Sequence, residues 1–284
     1  LTIDSVLNRE VMVELIGTCD VVYHLAAAVG VQYILDNPLS SIVTNIQGTE
    51  MIMELCAKFK KKVIIASTSE VYGKHDHAPL SETDDCVYGP STKSRWSYAA
   101  AKLMDEFTAL AYHRVKNLPV IIVRLFNTVG PRQTGRYGMV IPRFVSQALQ
   151  NEPITVYGDG KQTRTFTHVR EVVECLIKLT QTPAAIGQVL NIGGTEEISI
   201  LELAKRIKQF TNSSSEIHLI PYHKAFPQDF EDMQRRVPST EKLRQTIGVA
   251  PSLTLDDILR DVVTSYRHQI NQKKIPSLSK AASH

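Results

Sequence analysis

The stretch VIIASTSEVYG (residues 63–73) decides the fold more than any other part of the chain. Its first six residues are apolar, β-branched or small, without polar alternation, which predicts a strand covered on both faces of a sheet. Three hydroxyls and a carboxylate, from Ser67, Thr68, Ser69 and Glu70, come where that strand should end. Ligands of open α/β sheets bind beyond the carboxyl ends of the strands. The stretch therefore predicts a parallel sheet and the edge of it at which a site should lie.

The segments on either side repeat the same design. Residues 20–27 and 120–125 are short apolar runs that predict further buried strands, and residues 38–58 and 98–113 carry helical periodicity. The chain also opens in a helical pattern. Strands and helices that alternate at short intervals are typical of βαβ units on a parallel sheet. We therefore expect an α/β fold.

The composition and pattern of the sequence change after Phe126. A loop rich in Gly, Pro and Arg leads to short predicted strands at residues 154–157, 189–192 and 217–221. Ser199 and Thr254 are candidate helix N-caps, the second with Asp257 as its capping-box partner. We expect a partial sheet domain over residues 1–126, a smaller lobe over residues 127–273 interleaved with the last sheet strands, and a flexible tail over residues 274–284.

Composition narrows the class of protein. The 284 residues are 43% hydrophobic, enough for a sizeable core, and 32 basic against 29 acidic residues give a net charge of only +3. That balance argues against nucleic acid as a partner. The four cysteines lie far apart without a CxxC, so we expect reduced thiols and no metal site. No apolar run approaches a membrane span and no signal peptide is apparent, so a cytoplasmic protein with no membrane partner is expected.

The stretch SYAAAK (residues 97–102) holds a tyrosine and a lysine four residues apart. On a helix, Tyr98 and Lys102 would project from the same face. An ammonium beside a phenol lowers the phenol's pKa, so Tyr98 could act as a general base. The pair also occurs by chance on many helices. The neighbouring motifs favour a catalytic role for the pair, because the polar segment RLFNTVGPR (residues 124–132) ends the next strand at the same predicted edge.

These motifs together resemble the extended short-chain dehydrogenase/reductase family, in the branch of nucleotide-sugar epimerases, dehydratases and decarboxylases. The resemblance covers nearly the whole chain and rests on HLAA, STSEVYG, YxxxK and RLFNTVGPR, followed in the family's order by ITVYGDGKQTRTFTHV, LNIGG and RRVPS. It implies a Rossmann-like parallel sheet with a smaller C-terminal α/β lobe that binds the substrate.

The resemblance also implies the chemistry and the residues that perform it. Tyr98 would take the proton from a sugar hydroxyl, Lys102 would bind the nicotinamide ribose and lower the pKa of Tyr98, and Thr68 would hydrogen-bond the same hydroxyl. Hydride would move from the sugar C4 to NAD, giving a 4-keto sugar. The substrate would be a UDP-sugar. The residues that would bind it are Glu70, Asn127, Arg164 and Arg236.

On the cofactor side, the resemblance implies that Ala26 and Ala27 end a strand near the pyrophosphate. Asn45 matches a helix residue near the nicotinamide half, and Ser5 and Val6 match a stretch that borders the adenine. We interpret His24 as a packed core histidine.

One family feature is missing from the sequence. The GxxGxxG loop that opens the family's first βαβ unit occurs nowhere in the 284 residues, so the chain matches the family from about sixty residues into the usual domain. We therefore expect a truncated form in which the strand at residues 20–27 is an exposed sheet edge. Weak NAD binding and poor stability would follow, unless a partner chain or an unusual N-terminus completes the site.

Three reactions share this scaffold, and the sequence does not separate two of them. Dehydration is disfavoured because Ser69-Glu70 stands where dehydratases carry Asp-Glu. The pattern TSEVYG and the segment GPSTKSRW (residues 89–96) resemble UDP-glucuronate decarboxylases, whereas residues 124–169 and 231–239 are more similar to UDP-glucose 4-epimerases. The sequence favours the 4-epimerase, with the decarboxylase as the alternative.

Two readings from other classes stay open. The chain could be a non-catalytic nucleotide-binding module, although that would leave the set of Thr68, Tyr98 and Lys102 without a purpose. It could also be an oligomerisation module, because residues 38–58 and 103–113 match the helices that form the family's dimeric four-helix bundle. A homodimer is expected in either case.

Overall fold

The computed structural model describes residues 1–75, 77–135, 139–225, 231 and 233–274. The tail expected at residues 274–284 lies outside them, except for its first residue. The helices are α1 Arg9–Thr18, α2 Val31–Asp36, α3 Pro38–Phe59, α4 Trp96–Lys116, α5 Val140–Leu149, α6 Val169–Gln181, α7 Ile200–Thr211, α8 Tyr222–Ala225, α9 Glu241–Ile247 and α10 Leu255–Lys274. The strands are β1 Val21–His24, β2 Lys62–Thr68, β3 Val120–Leu125, β4 Thr128–Val129, β5 Ile154–Tyr157, β6 Thr163–Arg164, β7 Thr167–His168, β8 Val189–Ile192, β9 Ile198–Ser199, β10 Ile217–Ile220 and β11 Arg235–Arg236.

A parallel sheet in the order β1-β2-β3-β8 forms the centre of the molecule. Alternate residues of β2 enter different cores. Val63 and Ile65 pack with α1, α3 and α4 on one face of the sheet, while Ile64 packs with α6 and α9 on the other. This double coverage explains why β2 and β3 read as continuous apolar runs. The predicted α/β fold with a parallel sheet is confirmed.

The strand β1 lies at one end of this sheet among the described residues, as the sequence predicted for residues 20–27. It is shorter than predicted, because it ends at His24. After His24 the backbone turns to Asn45 of α3, whose side chain accepts from the Ala28 amide at 2.8 Å and donates to the Ala28 carbonyl at 3.3 Å. Ala26 and Ala27 therefore follow the strand instead of ending it, which corrects the prediction.

The first residues correct a second prediction. Residues 1–5 are not helical, and α1 begins only at Arg9. Ser5 and Val6 precede the helix, and the Val6 side chain packs against the core under α3.

The second half of the chain builds another core from α5, α7, α10 and the strand β5. Both predicted N-caps are confirmed. The Ser199 hydroxyl accepts from the Glu202 amide at 3.1 Å, and Thr254 and Asp257 exchange side-chain to backbone hydrogen bonds. The sheet β11-β6-β9 places Arg164 and Arg236 side by side in parallel register.

Candidate active site

The residues Tyr98 and Lys102 lie one turn apart in the first half of α4. Tyr98 is half-buried and Lys102 is only 2% exposed. The Lys102 Nζ donates to Asp105 Oδ2 at 2.8 Å, so the ammonium is paired with a carboxylate of its own helix. That Lys102 lowers the pKa of Tyr98 stays a prediction, because other groups dominate that pKa here. Burial, followed by the negative charges of Glu70 and Asp105, raises the pKa of Tyr98.

The residue Thr68 ends β2 and begins a 3-10 turn, Ser69–Tyr72. Its hydroxyl accepts from the Glu70 amide at 3.2 Å and so fixes the turn that follows the strand. Strand β3 pairs with β2 so that Leu125 lies opposite Thr68, and Asn127 leaves the same edge two residues later. Asn127 adopts a φ of +27°, an uncommon conformation that tolerates asparagine better than β-branched residues. The hydroxyl motif and Asn127 thus share one sheet edge, as predicted.

A cluster of charges surrounds Glu70 at this edge. Arg95, which immediately precedes α4, forms an ion pair with Glu70, and Arg236 Nη1 lies 3.5 Å from the other carboxylate oxygen. Arg236 Nη2 also donates to Asn127 Oδ1 at 2.6 Å. Burial opposes the charge of Glu70, but Arg95, Arg236 and, more weakly, Arg164 hold its pKa at about 2. Three guanidinium groups therefore lie around the carboxylate of Glu70.

The structure brings Glu70, Asn127 and Arg236 together in this way. Arg164 is buried beside them in the register of β6 with β11, and its Nη1 donates to the Thr163 carbonyl at 2.8 Å. No hydrogen bond between Thr68 and Tyr98 occurs within the described part of the chain. Catalytic hydrogen bonds are often long in the absence of ligand and shorten in the complex with substrate. Both residues therefore stay in the candidate site.

Sequence reasoning missed Arg95. The segment GPSTKSRW was noted as a resemblance, but no role was assigned to its arginine. The spacing could have revealed it, because Arg95 precedes Tyr98 by three residues at the start of a helix and so shares its face. Asp105 was missed although it lies three residues after Lys102 on the same helix, whereas Thr49 reaches the site only through the packing of α3.

The cofactor-side residues lie around the end of β1. His24 is buried, its Nε2 lies 3.1 Å from Thr49 Oγ1, and burial together with the Lys102 charge lowers its pKa to about 4. His24 is thus a neutral core histidine, as predicted. Ala26 is exposed, Ala27 is half-buried, and Asn45 is engaged with Ala28. Small side chains follow the carboxyl end of β1, and Lys102 is near enough to His24, the last residue of that strand, for its charge to act on the imidazole. Small residues at this edge allow the close approach of a ligand, so this part of the site fits a dinucleotide.

Buried arginines, a tyrosine–lysine pair and a parallel sheet with polar residues at its carboxyl edge agree with the short-chain dehydrogenase/reductase class that the motifs resemble. A family model described as GDP-mannose 4,6 dehydratase matches residues 3–262. The chain belongs to this family, the extended short-chain dehydrogenases/reductases that act on nucleotide sugars with NAD.

Two of the curated relatives that the chain resembles are decarboxylases. The chain is 44% identical to the UDP-N-acetyl-alpha-D-glucosaminuronate decarboxylase of Bacillus cytotoxicus over 93% of this chain and 81% of that protein. It is 33% identical to UDP-glucuronic acid decarboxylase 1 of Xenopus tropicalis, over 96% of this chain and 63% of that protein. The chain therefore spans less than two thirds of the length of the second relative.

A solved structure supports the fold and the class. The UDP-glucuronic acid 4-epimerase of Bacillus cereus, in complex with UDP-glucuronic acid and NAD, matches with a TM-score of 0.83 and 28% identity. The match covers 94% of this chain and 81% of that chain. These comparisons favour the decarboxylase alternative at least as strongly as the epimerase that the sequence favoured.

Among the described residues, no helix is both long and apolar enough to cross a bilayer.

Proposed function

We propose that the protein is an NAD-dependent decarboxylase of a UDP-hexuronate. The observation that carries the proposal is the cluster of Arg95, Arg164 and Arg236 around Glu70, beside Tyr98. A UDP-hexuronate brings a diphosphate and a sugar carboxylate, and guanidinium groups pair with both. The 44% identity to a decarboxylase of an N-acetylated hexuronate supports the same class and makes that sugar the first substrate to test.

The residues of the site divide the chemistry among them. Tyr98 acts as the base for the sugar 4-hydroxyl, and Thr68 hydrogen-bonds the same oxygen. Lys102 and residues 26–27 would hold NAD, which would supply the hydride acceptor for C4 and the hydride donor that reduces C4 again at the end. Oxidation at C4 turns the C5 carboxylate into a β-keto acid. The C5–C6 bond then breaks, carbon dioxide leaves, its electron pair remains as an enolate, and a proton adds at C5.

Glu70 does not supply that proton at neutral pH, because a pKa of about 2 keeps it ionised. Its role in the proposal is to hold Arg95 and Arg236 in place. Arg236 is held from a second side by Asn127, so its orientation is defined before substrate arrives. A site fixed by such contacts loses little free energy to reorganisation on binding.

C4 epimerisation is the second candidate, and the likeness to the Bacillus cereus 4-epimerase favours it. It uses the same base and the same 4-keto sugar, but it releases no carbon dioxide. The two reactions therefore differ in product alone.

The test follows the products by proton NMR. The protein is incubated with added NAD and, in separate reactions, UDP-N-acetylglucosaminuronate, UDP-glucuronate and UDP-glucose. We expect a UDP-pentose and one equivalent of carbon dioxide from a hexuronate, and no turnover by Tyr98→Phe, which should still bind UDP. A C4 epimer formed without carbon dioxide would overturn the decarboxylase proposal in favour of the second candidate.

We also propose that the protein is a homodimer. Helices α3 and α4 pack against each other and present large apolar side chains to solvent, among them Leu39, Met104 and Phe107, which are 75%, 51% and 57% exposed. An exposed apolar face of this kind is typical of an interface between subunits.

A further inference from the structure

Among the lysine–carboxylate pairs in the described part of the chain, the pair of Lys102 and Asp105 is the most buried. Both side chains are 2% exposed and their charged atoms are 2.8 Å apart. Lys205 and Glu202 form a pair with the same three-residue spacing on α7, yet their side chains are 51% and 59% exposed. Exposed pairs contribute little to stability, whereas a buried ammonium without its counter-ion is costly. Asp105 therefore decides where the Lys102 charge can lie.

Two further elements hold Asp105. Thr49, on α3, faces the Asp105 carboxylate and lowers its pKa, although burial is the larger effect and raises the pKa overall. The Thr49 hydroxyl also lies 3.1 Å from His24 Nε2 at the end of β1, within hydrogen-bond distance. Residues of β1, α3 and α4 therefore meet around the pair of Lys102 and Asp105.

We propose that Asp105 is a positioning residue that fixes the Lys102 ammonium one helical turn from Tyr98, with Thr49 and His24 as its support. The support spans β1, α3 and α4. It also borders the cofactor side, because His24 directly precedes the segment that contains Ala26 and Ala27. The inference rests on the proposed role of Tyr98 as the base, and it adds a residue to which neither the motifs nor the comparisons assign a role.

The charges that face these groups predict the effect of removing Asp105. Glu70 and Asp105 raise the pKa of Tyr98, while Arg95 and Arg236 lower it. Asp105 itself faces Lys102 and Glu106 on α4 and Thr49 on α3, and Thr49 in turn contacts His24. Glu106 is paired separately with Arg124 of β3 at 2.8 Å, and it accepts a hydrogen bond from the hydroxyl of Ser67 on β2.

Asp105→Asn keeps the shape of the side chain and removes its charge. Tyr98 then loses one of the charges that raise its pKa, and the Lys102 charge is no longer compensated. We expect the pKa of Tyr98 to fall by about one unit, a tenfold change in its ionisation.

The primary experiment needs neither substrate nor cofactor. Tyrosine is isotope-labelled, and the Tyr98 resonance, assigned by its loss in Tyr98→Phe, is followed against pH by NMR. Asp105→Asn should begin to titrate about one pH unit below the unaltered protein, and Thr49→Val should show a smaller fall. Glu202→Gln, which breaks the exposed pair of the same spacing, should not move the resonance. Thermal melts of each variant establish that it is folded.

The pH profile of kcat/KM with NAD and UDP-hexuronate gives a second measurement, and its acid limb should move in the same direction by the same amount. A folded Asp105→Asn protein with an unchanged Tyr98 titration would overturn the proposal, and so would an equal shift in Glu202→Gln. If Asp105→Asn does not fold, an unshifted Thr49→Val decides against it. Because the NMR titration does not depend on the product formed, failure here is distinct from failure of the decarboxylase assignment.

Discussion

At the scale of single residues, Glu70 keeps its charge in a place where burial alone would neutralise it. Arg95 and Arg236 approach it from different parts of the chain, one next to α4 and one on β11. Buried side chains keep their charge when they are paired and hydrogen-bonded. Removal of one partner leaves the others buried without a compensating charge. The cluster is therefore sensitive to the loss of any member.

Glu70→Gln should destabilise the fold by about 3–5 kcal/mol at neutral pH, since it leaves two buried arginines without their carboxylate. The sign of the pH dependence follows from the lowered pKa. A carboxyl whose folded pKa of about 2 lies below its ordinary 4.5 adds stability above 4.5, and that contribution is lost as the pH falls through about 2. Urea unfolding at a series of pH values should show the two proteins converging over this window.

The matched control is Glu54→Gln, which breaks an exposed pair with Arg9. It should produce only a small change, because solvent screens that pair. A Glu70→Gln protein as stable as the parent at neutral pH would contradict the buried ion cluster.

At the scale of elements, the predictions succeeded where a segment buries its side chains by a simple period. The strand β3 was predicted with its observed bounds, because an apolar run lies between Pro119 and a polar segment. The two-residue strands β4, β6, β7, β9 and β11 were missed, since two residues carry no period and pair only through the tertiary fold. The residues of the site were likewise predictable only where local sequence places them. Thr68 and Asn127 could be placed by strand ends, but the contact of Arg95 with Glu70 joins residues from two different elements.

The exposed apolar face of α3 and α4 leads to a prediction at the same scale. Phe107→Glu should convert a dimer to a monomer, because it buries an uncompensated charge in the proposed interface. Analytical ultracentrifugation gives the mass of each protein. Leu219→Glu, at an exposed apolar position of β10, is the control and should stay dimeric. A monomeric parent protein, or a dimeric Phe107→Glu, would argue against this interface.

At the scale of the whole molecule, the site joins parts of the chain that are far apart in sequence. Glu70 follows β2 and Asn127 follows β3, both in the central sheet, whereas Arg236 belongs to a small sheet with β6 and β9. The contacts of Arg236 with Glu70 and Asn127 cross between these two sheets. A diphosphate bound by the same arginine would strengthen that connection, so ligand binding and global stability should be coupled.

Neighbouring arginines allow this coupling to be tested. Arg235 and Arg236 are adjacent on β11, but Arg235 is exposed and pairs with Glu197, while Arg236 is 9% exposed and faces the site. UDP at about 100 times its Kd should add about 2.7 kcal/mol to the free energy of unfolding of the parent protein. Arg235→Gln should keep this increment, and Arg236→Gln should lose most of it at the same UDP concentration. The measurement is urea unfolding with and without UDP, which compares each variant with itself and so separates ligand binding from any loss of intrinsic stability. An equal increment in both variants would exclude Arg236 from the diphosphate site.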